Sequence, residues 1–92
     1  MPYGIARFRV QDYDHWKRIR DENAAKFREA GFKSQQVFRN PDDPNTVLIL
    51  SEIEDLEKAR RQWSGTEEFR AYQQRAGITE FTTYHLEEQL PL

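Results

Sequence analysis

The sequence predicts an α+β fold, a four-stranded antiparallel sheet with two helices on one face. Four segments alternate in hydrophobicity or run apolar, as strands do, and two repeat apolar residues every three or four positions, as helices do. Their order is strand, helix, strand, strand, helix, strand, which is the ferredoxin-like βαββαβ arrangement. A chain of 92 residues has room for one such domain, spanning residues 1–92, around one core.

The first strand is predicted at Tyr3–Val10, where Phe8 and Val10 share one face and charged residues share the other. A helix follows, with Asp12 as its N-cap and Gly31 as its stop. Its apolar stripe consists of Tyr13, Trp16, Ile19, Asn23, Phe27 and Ala30. The sequence therefore predicts one amphipathic helix with an asparagine in its apolar stripe.

The remaining elements follow the same order. A second strand is predicted in 33–40, and the residues "PDDPN" after it are typical of a turn. The third strand, Thr46–Ile53, is apolar on both faces, which is typical of an interior strand covered on both sides. A second helix is predicted from Asp55, its N-cap, to Gly77, its stop. The last strand is predicted at Ile78–Glu88.

This arrangement predicts a homodimer. The first and third strands occupy the centre of a ferredoxin-like sheet, and both helices lie on one face of it. The other face then needs cover from outside the chain, for which a second copy is the simplest candidate. We therefore expect two sheets to pack together as a dimeric α/β barrel.

The composition argues against several classes of partner and cofactor. The 14 basic and 16 acidic residues are scattered without a basic block, so nucleic acid is not an expected partner. The chain has no cysteine and no histidines at ligand spacing, and we expect no flavin, haem or tightly held metal. The longest aliphatic run, Val47–Leu50, is too short to cross a membrane, and Arg7 and Arg9 lie where a signal peptide would be apolar. The expected location is the cytoplasm.

The stretch "WSGTEEFRAY" interrupts the second helix with Ser64 and Gly65. Ser64 and Glu67 fit a capping box, which predicts that the helix stops near Trp63 and restarts at Gly65 with Ser64 as its cap. Trp63 lies on the apolar stripe of this helix. It either fills the core, as large stripe aromatics usually do, or forms one wall of a pocket.

Two polar residues on predicted inward faces are candidates for chemistry. Asn23 is either a buried amide that meets a ligand or, if the helical phase differs by one position, an exposed side chain. His85 shares a strand face with Phe81 and Thr83, and it is either structural or a general acid or base. The expected cleft between sheet and helices is lined by Phe8, Trp16, Asn23, Trp63, Tyr72 and His85.

Charged residues on strands and turns have alternative interpretations. Arg7 and Arg9 pair either with acids such as Glu80 and Glu87 or with an anionic substrate. Asp42 and Asp43 stand between prolines and are expected to form a turn rather than a metal site.

The segment "SEIEDLEKARRQWSGTEEFRAY" resembles the third strand and second helix of antibiotic-biosynthesis-monooxygenase-like proteins of the dimeric α/β-barrel superfamily. "VQDYDHWK", "FRNPDDPNTVLIL" and "QQRAGI" resemble short bacterial proteins of that superfamily, described as cyclase-like or monooxygenase-like. A haem-degrading branch shares Trp63 and Phe69, but Gln73 stands where its haem-ligating histidine would fall and Ala6 near its asparagine.

The resemblance implies a cofactor-independent oxygenase or cyclase acting on an aromatic or polyketide-like compound. In such an enzyme His85 or Asn23 would assist proton transfer or stabilise an enolate, and Trp63, Phe8, Trp16 and Tyr72 would contact the substrate. The alternative is a non-catalytic module that binds a small ligand or a partner protein, favoured by the few acid–base residues on the predicted inward faces.

Overall fold

The computed structural model describes residues 2–86, and its elements follow the predicted order. The elements are β1 (Tyr3–Val10), α1 (Tyr13–Glu22), α2 (Ala24–Glu29), β2 (Phe32–Arg39), β3 (Thr46–Ile53), α3 (Leu56–Ala59), a π-helical turn (Arg60–Ser64), α4 (Glu67–Arg75) and β4 (Ile78–Leu86). The predicted end of the last strand, Glu87 and Glu88, lies outside the described residues. None of the helices within 2–86 has the length and hydropathy that a bilayer span requires.

The four strands form one antiparallel sheet in the order β2-β3-β1-β4. This order confirms the predicted α+β, ferredoxin-like fold, with β1 and β3 in the centre. Ile5 of β1 lies opposite Leu50 of β3 on one side and opposite Tyr84 of β4 on the other. These three residues share the sheet face that points away from the helices.

A β-bulge shifts the register of β4. Arg7 lies opposite Thr82 but Arg9 lies opposite Thr79, so two residues of β4, Glu80 and Phe81, correspond to one residue of β1. Glu80 occupies the left-handed region, with φ of 51°. The bulge inserts one extra position into the strand.

This insertion decides which side chains of β4 point towards the helices. Strict alternation from Ile78 would place Phe81, Thr83 and His85 on the opposite face. Because the bulge changes the parity, Ile78, Phe81, Thr83 and His85 all line the space beneath the helices.

The first predicted helix is two helices, which corrects the expectation of a single helix through Asn23. Asn23 ends α1, and its side-chain Nδ2 donates to the carbonyl oxygen of Ile19 at 2.8 Å. Its backbone N–H donates to Arg20 O at 3.0 Å, a tighter i→i−3 bond. An asparagine that bonds its own backbone in this way competes with the regular helix. The predicted N-cap, Asp12, is confirmed by its bonds from the next turn.

The second helix is interrupted at the predicted place, by a π-helical turn. Asp55 caps α3, as predicted, and accepts bonds from the N–H groups of Glu57 and Lys58. The expectation that Ser64 caps the restarted helix is wrong, because Thr66 is the cap: its Oγ1 accepts the N–H of Phe69 at 3.1 Å. Ser64 instead belongs to the π-helical turn.

The core lies between the helices and one face of the sheet. Its buried hydrophobic residues are Phe8, Val10, Trp16, Ile19, Ala30, Val47, Ile49, Ile53, Ala59, Trp63, Phe69, Tyr72 and Ala76. Trp16 and Trp63 are the largest fully buried side chains among the described residues, each 1% exposed. Burial of such aromatic surface is the main stabilising contribution to a small domain.

The opposite sheet face is open in this chain. Phe38, Leu48 and Tyr84 are exposed on it, so within residues 2–86 β3 is covered on one side only. Arg9 forms an ion pair with Asp43 at 3.2 Å, and this pairing was not among those expected for it. Asp43 also accepts a bond from Thr46 Oγ1 at 2.7 Å, in keeping with its predicted role in the turn.

Candidate functional site

An apolar cleft opens between the helices and the sheet. It contains about 690 Å³ of space free of protein atoms, its solvent-filled mouth included. Its floor comes from the four strands, and its walls from α2, α3, the π-helical turn and α4. It is lined by Gly4, Ile5, Ala6, Phe8, Phe27, Phe32, Gln35, Ile49, Ser51, Ile53, Leu56, Ala59, Arg60, Ser64, Phe69, Tyr72, Ile78, Phe81, Thr83 and His85.

Half of the predicted site residues lie in this lining. Phe8, Tyr72 and His85 line the cleft, as does Phe81. Phe8 and Phe81 are in contact, with ring centroids 5.9 Å apart, and both come from neighbouring strands. Trp16, Trp63 and Asn23 are buried but are not part of the lining.

Trp63 lies behind the cleft wall in a cluster of aromatic rings. Its ring centroid is 5.2 Å from that of Phe69, 5.6 Å from that of Tyr72 and 5.4 Å from that of Phe27. The ammonium group of Lys26 lies 5.3 Å from the centroid of the indole and also pairs with Glu68. Trp63 therefore supports the lining rings from within the core and, at 1% exposure, offers no surface to a ligand.

Trp16 and Asn23 belong to α1 and its C-terminal end. Trp16 packs against Phe8, with ring centroids 5.5 Å apart, and so supports the floor of the cleft from behind. Asn23 is 8% exposed, and one N–H of its side-chain amide donates to Ile19 O. The polar residue predicted on the apolar stripe is thus buried, and its partner is its own helix.

Tyr72 contributes a phenol that strongly retains its proton. Burial raises the pKa of Tyr72 to about 12, although the charge of nearby Arg20 acts in the opposite direction. Arg20 also contacts a lining residue: its Nη2 donates to Oε1 of Gln35 at 2.8 Å. At neutral pH the hydroxyl of Tyr72 can therefore donate a hydrogen bond but cannot act as a base.

Arg60 is a cleft residue that the sequence reasoning missed. Its Nη2 lies 3.1 Å from Nδ1 of His85 at the solvent-exposed mouth. A regular helix would give little reason to select Arg60 among the charged residues of "EKARRQ". The signal was the Ser64-Gly65 interruption, because π-helical turns occur often at functional sites.

Other polar groups in the lining are neutral. They are Gln35, Ser51, Ser64 and Thr83. Within residues 2–86, no three His, Asp or Glu side chains come together as a metal site would require. The arrangement can hold an apolar ring system, donate hydrogen bonds to it and exchange a proton through His85.

The family model of the antibiotic biosynthesis monooxygenases matches residues 5–75 of the chain. This match covers β1 through α4 and therefore most of the cleft. No curated protein matches the sequence.

Solved structures share the fold at low sequence identity. SnoaB, a cofactor-independent oxygenase from Streptomyces nogalater, is 17% identical with a TM-score of 0.78, covering 99% of this chain and 95% of its own. A candidate antibiotic biosynthesis monooxygenase from Bordetella bronchiseptica is 15% identical with a TM-score of 0.75, covering 97% of both chains. An antibiotic biosynthesis monooxygenase is 18% identical with a TM-score of 0.73, covering 99% of this chain and all of its own, 100%.

Proposed function

We propose that this chain, which belongs to the antibiotic biosynthesis monooxygenase family, is a small-molecule enzyme of the cofactor-independent monooxygenase or cyclase type. Its substrate would be an aromatic or polyketide-like compound held in the cleft between sheet and helices. The observation that carries the proposal is the cleft itself, which is apolar, open to solvent and lined by a histidine. A filled core would have favoured an interaction protein instead.

The roles of the residues follow from where they lie. Phe8 and Tyr72 would pack against the substrate rings, supported from behind by Trp16 and Trp63. His85 would accept a proton from an acidic C–H or O–H of the substrate, since imidazole is the side chain suited to proton transfer near neutrality. Asn23, also predicted as catalytic, has its amide N–H bonded within α1 and takes no role in this proposal.

The substrate would supply the electrons for the reaction. Once one C–H of a ring CH2 group is deprotonated, the carbanion adds O2 and the resulting peroxide takes back that proton. Cleavage of the O–O bond, with loss of the second C–H hydrogen and one oxygen atom as water, leaves a carbonyl group on the ring. In the cyclase version the same carbanion attacks a carbonyl carbon of the substrate and closes a ring. In both cases the protein contributes proton transfer and orientation.

The second candidate function is a non-catalytic small-ligand-binding module of the same fold. It is favoured by the composition of the lining, where His85 is the only histidine and no acid is present among the described residues. Binding without turnover would identify this alternative.

An oxygen-uptake assay with anthrone, whose ring C–H is acidified by a carbonyl group, tests the enzymatic proposal. We expect uptake by the wild-type protein and a loss of about 100-fold in rate for His85→Gln, the usual contribution of a general base. His15→Gln is the matched control, because His15 lies outside the lining and contacts Arg75 O at 2.8 Å. Saturable anthrone binding with no uptake or product would favour the binding module, and equal losses in both variants would contradict the role of His85.

We also propose that the protein is a homodimer packed through its open sheet face. Phe38, Leu48 and Tyr84 expose apolar surface there, and Leu50 and Ile5 lie between them, half-buried. A contiguous apolar patch of this kind is typical of an interface. The cytoplasmic location stays a prediction from the sequence.

A further inference from the structure

The cleft lining contains a positive side chain and no negative one among residues 2–86. Of the lining side chains within residues 2–86, Arg60 is permanently positive, His85 is titratable, and none is an aspartate or glutamate. The rest of the lining is mainly apolar. An apolar cleft with one cation at its mouth favours a ligand that carries a negative charge at one end.

Arg60 is held at this position by the backbone. Arg60 begins the π-helical turn, and its carbonyl oxygen accepts the N–H of Gly65 at 2.8 Å. None of the ion pairs among the described residues includes Arg60. Its side-chain contact is with His85, which carries no negative charge, so the positive charge of Arg60 is not balanced there.

The contact also determines the tautomer of the neutral His85 side chain. A guanidinium group has only N–H donors, so Nδ1 of His85 must accept the hydrogen bond from Arg60. In the neutral imidazole the remaining proton is then on Nε2. Arg60 and His85 together thus present N–H donors of two kinds, one charged and one neutral.

We propose that the cleft binds an aromatic ligand in an anionic form, as a carboxylate, phenolate or enolate, with Arg60 as the residue that recognises the negative group. The ring system lies against Phe8 and Tyr72, and the anionic oxygen takes charge-assisted hydrogen bonds from Arg60 and a bond from Nε2–H of His85. This inference rests on the proposed function of the cleft and adds the charge class of its ligand. In the proposed reaction Arg60 would leave Nδ1 of His85 and bond the enolate oxygen, and the freed Nδ1 would hold the proton removed from the substrate.

Calorimetric titration with three naphthalenes of similar shape tests this inference: 2-naphthoate, neutral 2-naphthamide and cationic 2-naphthylmethylamine. We expect 2-naphthoate to bind about tenfold more tightly than 2-naphthamide, the effect of one charge-assisted hydrogen bond at a solvent-exposed mouth. Arg60→Gln should remove this preference while 2-naphthamide binding stays unchanged. Arg61→Gln is the matched control, since Arg61 belongs to the same turn and lies outside the lining.

The outcomes separate this inference from the proposed function. Equal binding of the three probes, or an equal loss in the Arg60 and Arg61 variants, would overturn the anion preference and leave the aromatic cleft intact. Binding of none of them would overturn both proposals. Imidazole nitrogen NMR gives a readout without ligand: we expect the Nε2–H tautomer of His85 in the wild type and a mixture in Arg60→Gln, and an Nδ1–H tautomer in the wild type would contradict the arrangement.

Discussion

The backbone N–H of Gly65 donates to the carbonyl oxygen of Arg60 at 2.8 Å, five residues earlier in the chain. This bond closes the π-helical turn that brings Arg60 to the mouth of the cleft. A Cβ atom on Gly65 would lie 2.8 Å from that same oxygen. The contact is with backbone, so rotation of a side chain cannot relieve it. The φ of Gly65, −99°, is open to any residue, which makes the requirement for glycine steric.

Gly65→Ala should therefore lower the free energy of unfolding by about 1–3 kcal/mol, the usual effect of a forced contact in a packed region. Urea unfolding monitored by circular dichroism measures the change. Ser64→Ala is the neighbouring control and should change stability by no more than about 0.5 kcal/mol, because its hydroxyl makes only a long, 3.4 Å bond to Ala59 O. An alanine variant as stable as the wild type would show that the turn can relax.

Trp63→Ala should lower the free energy of unfolding by about 3–5 kcal/mol, as other buried large-to-small changes do. Trp63 is 1% exposed and is enclosed by the rings of Phe27, Phe69 and Tyr72. Trp63→Phe should cost less, because it keeps an aromatic ring in the cluster. Chemical unfolding followed by circular dichroism avoids the loss of the indole signal. A loss below about 1 kcal/mol in Trp63→Ala would contradict the core role.

Stability should fall at high pH because of Tyr72. Its folded pKa of about 12 lies above the unfolded value of 10.0, so the unfolded chain loses the proton first. The contribution is fully present below pH 10 and is lost as pH rises towards 12, at about 1.4 kcal/mol per pH unit. The free energy of unfolding, measured at a series of pH values for the wild type and for Tyr72→Phe, isolates the contribution of Tyr72. Parallel curves for the two proteins above pH 10 would contradict it.

Glu80→Gly should raise the free energy of unfolding by about 0.5–1 kcal/mol, because glycine adopts the left-handed conformation without the strain of a Cβ atom. Glu80 has φ of 51° at the bulge of β4. Glu80→Val should have the opposite effect, since a β-branched residue is disfavoured there. Thermal unfolding of the two variants at equal concentration gives the comparison. Equal melting temperatures would show that β4 adopts a regular register in solution.

Leu48→Glu should convert the expected dimer into a monomer. Leu48 is 36% exposed near the middle of the open sheet face, where an interface of the standard size, roughly 1,600 Å² in total, would bury a charge without a partner. Sedimentation velocity at micromolar concentration distinguishes the two states. Lys33→Glu is the control, an exposed position at the start of β2. A wild-type protein that sediments as a monomer would contradict the barrel.

The sequence by itself determined the order of the elements, the bounds of β1 and β3, and the N-caps Asp12 and Asp55. These features depend on periodicity and on local hydrogen bonds, which act within a few residues. The central place of β1 and β3 also followed, because the βαββαβ order leaves few alternatives. The periodicity of each element also predicted that Phe8 and Tyr72 face inward.

Tertiary structure decided which inward residues meet the cleft. Trp63, Phe69 and Tyr72 share one helical stripe, yet only Phe69 and Tyr72 reach the open space, because α3 and α4 are joined by a π-helical turn. The sheet face on which His85 lies depends on the extra residue at Glu80, since one inserted residue moves every later side chain of the strand to the opposite face. The meeting of Arg60 with His85, 25 residues apart, arises only when the turn and the bulge are both in place. Periodicity predicts which face of its own helix or strand a side chain occupies. Which side chains of different elements meet in a site depends on how those elements pack.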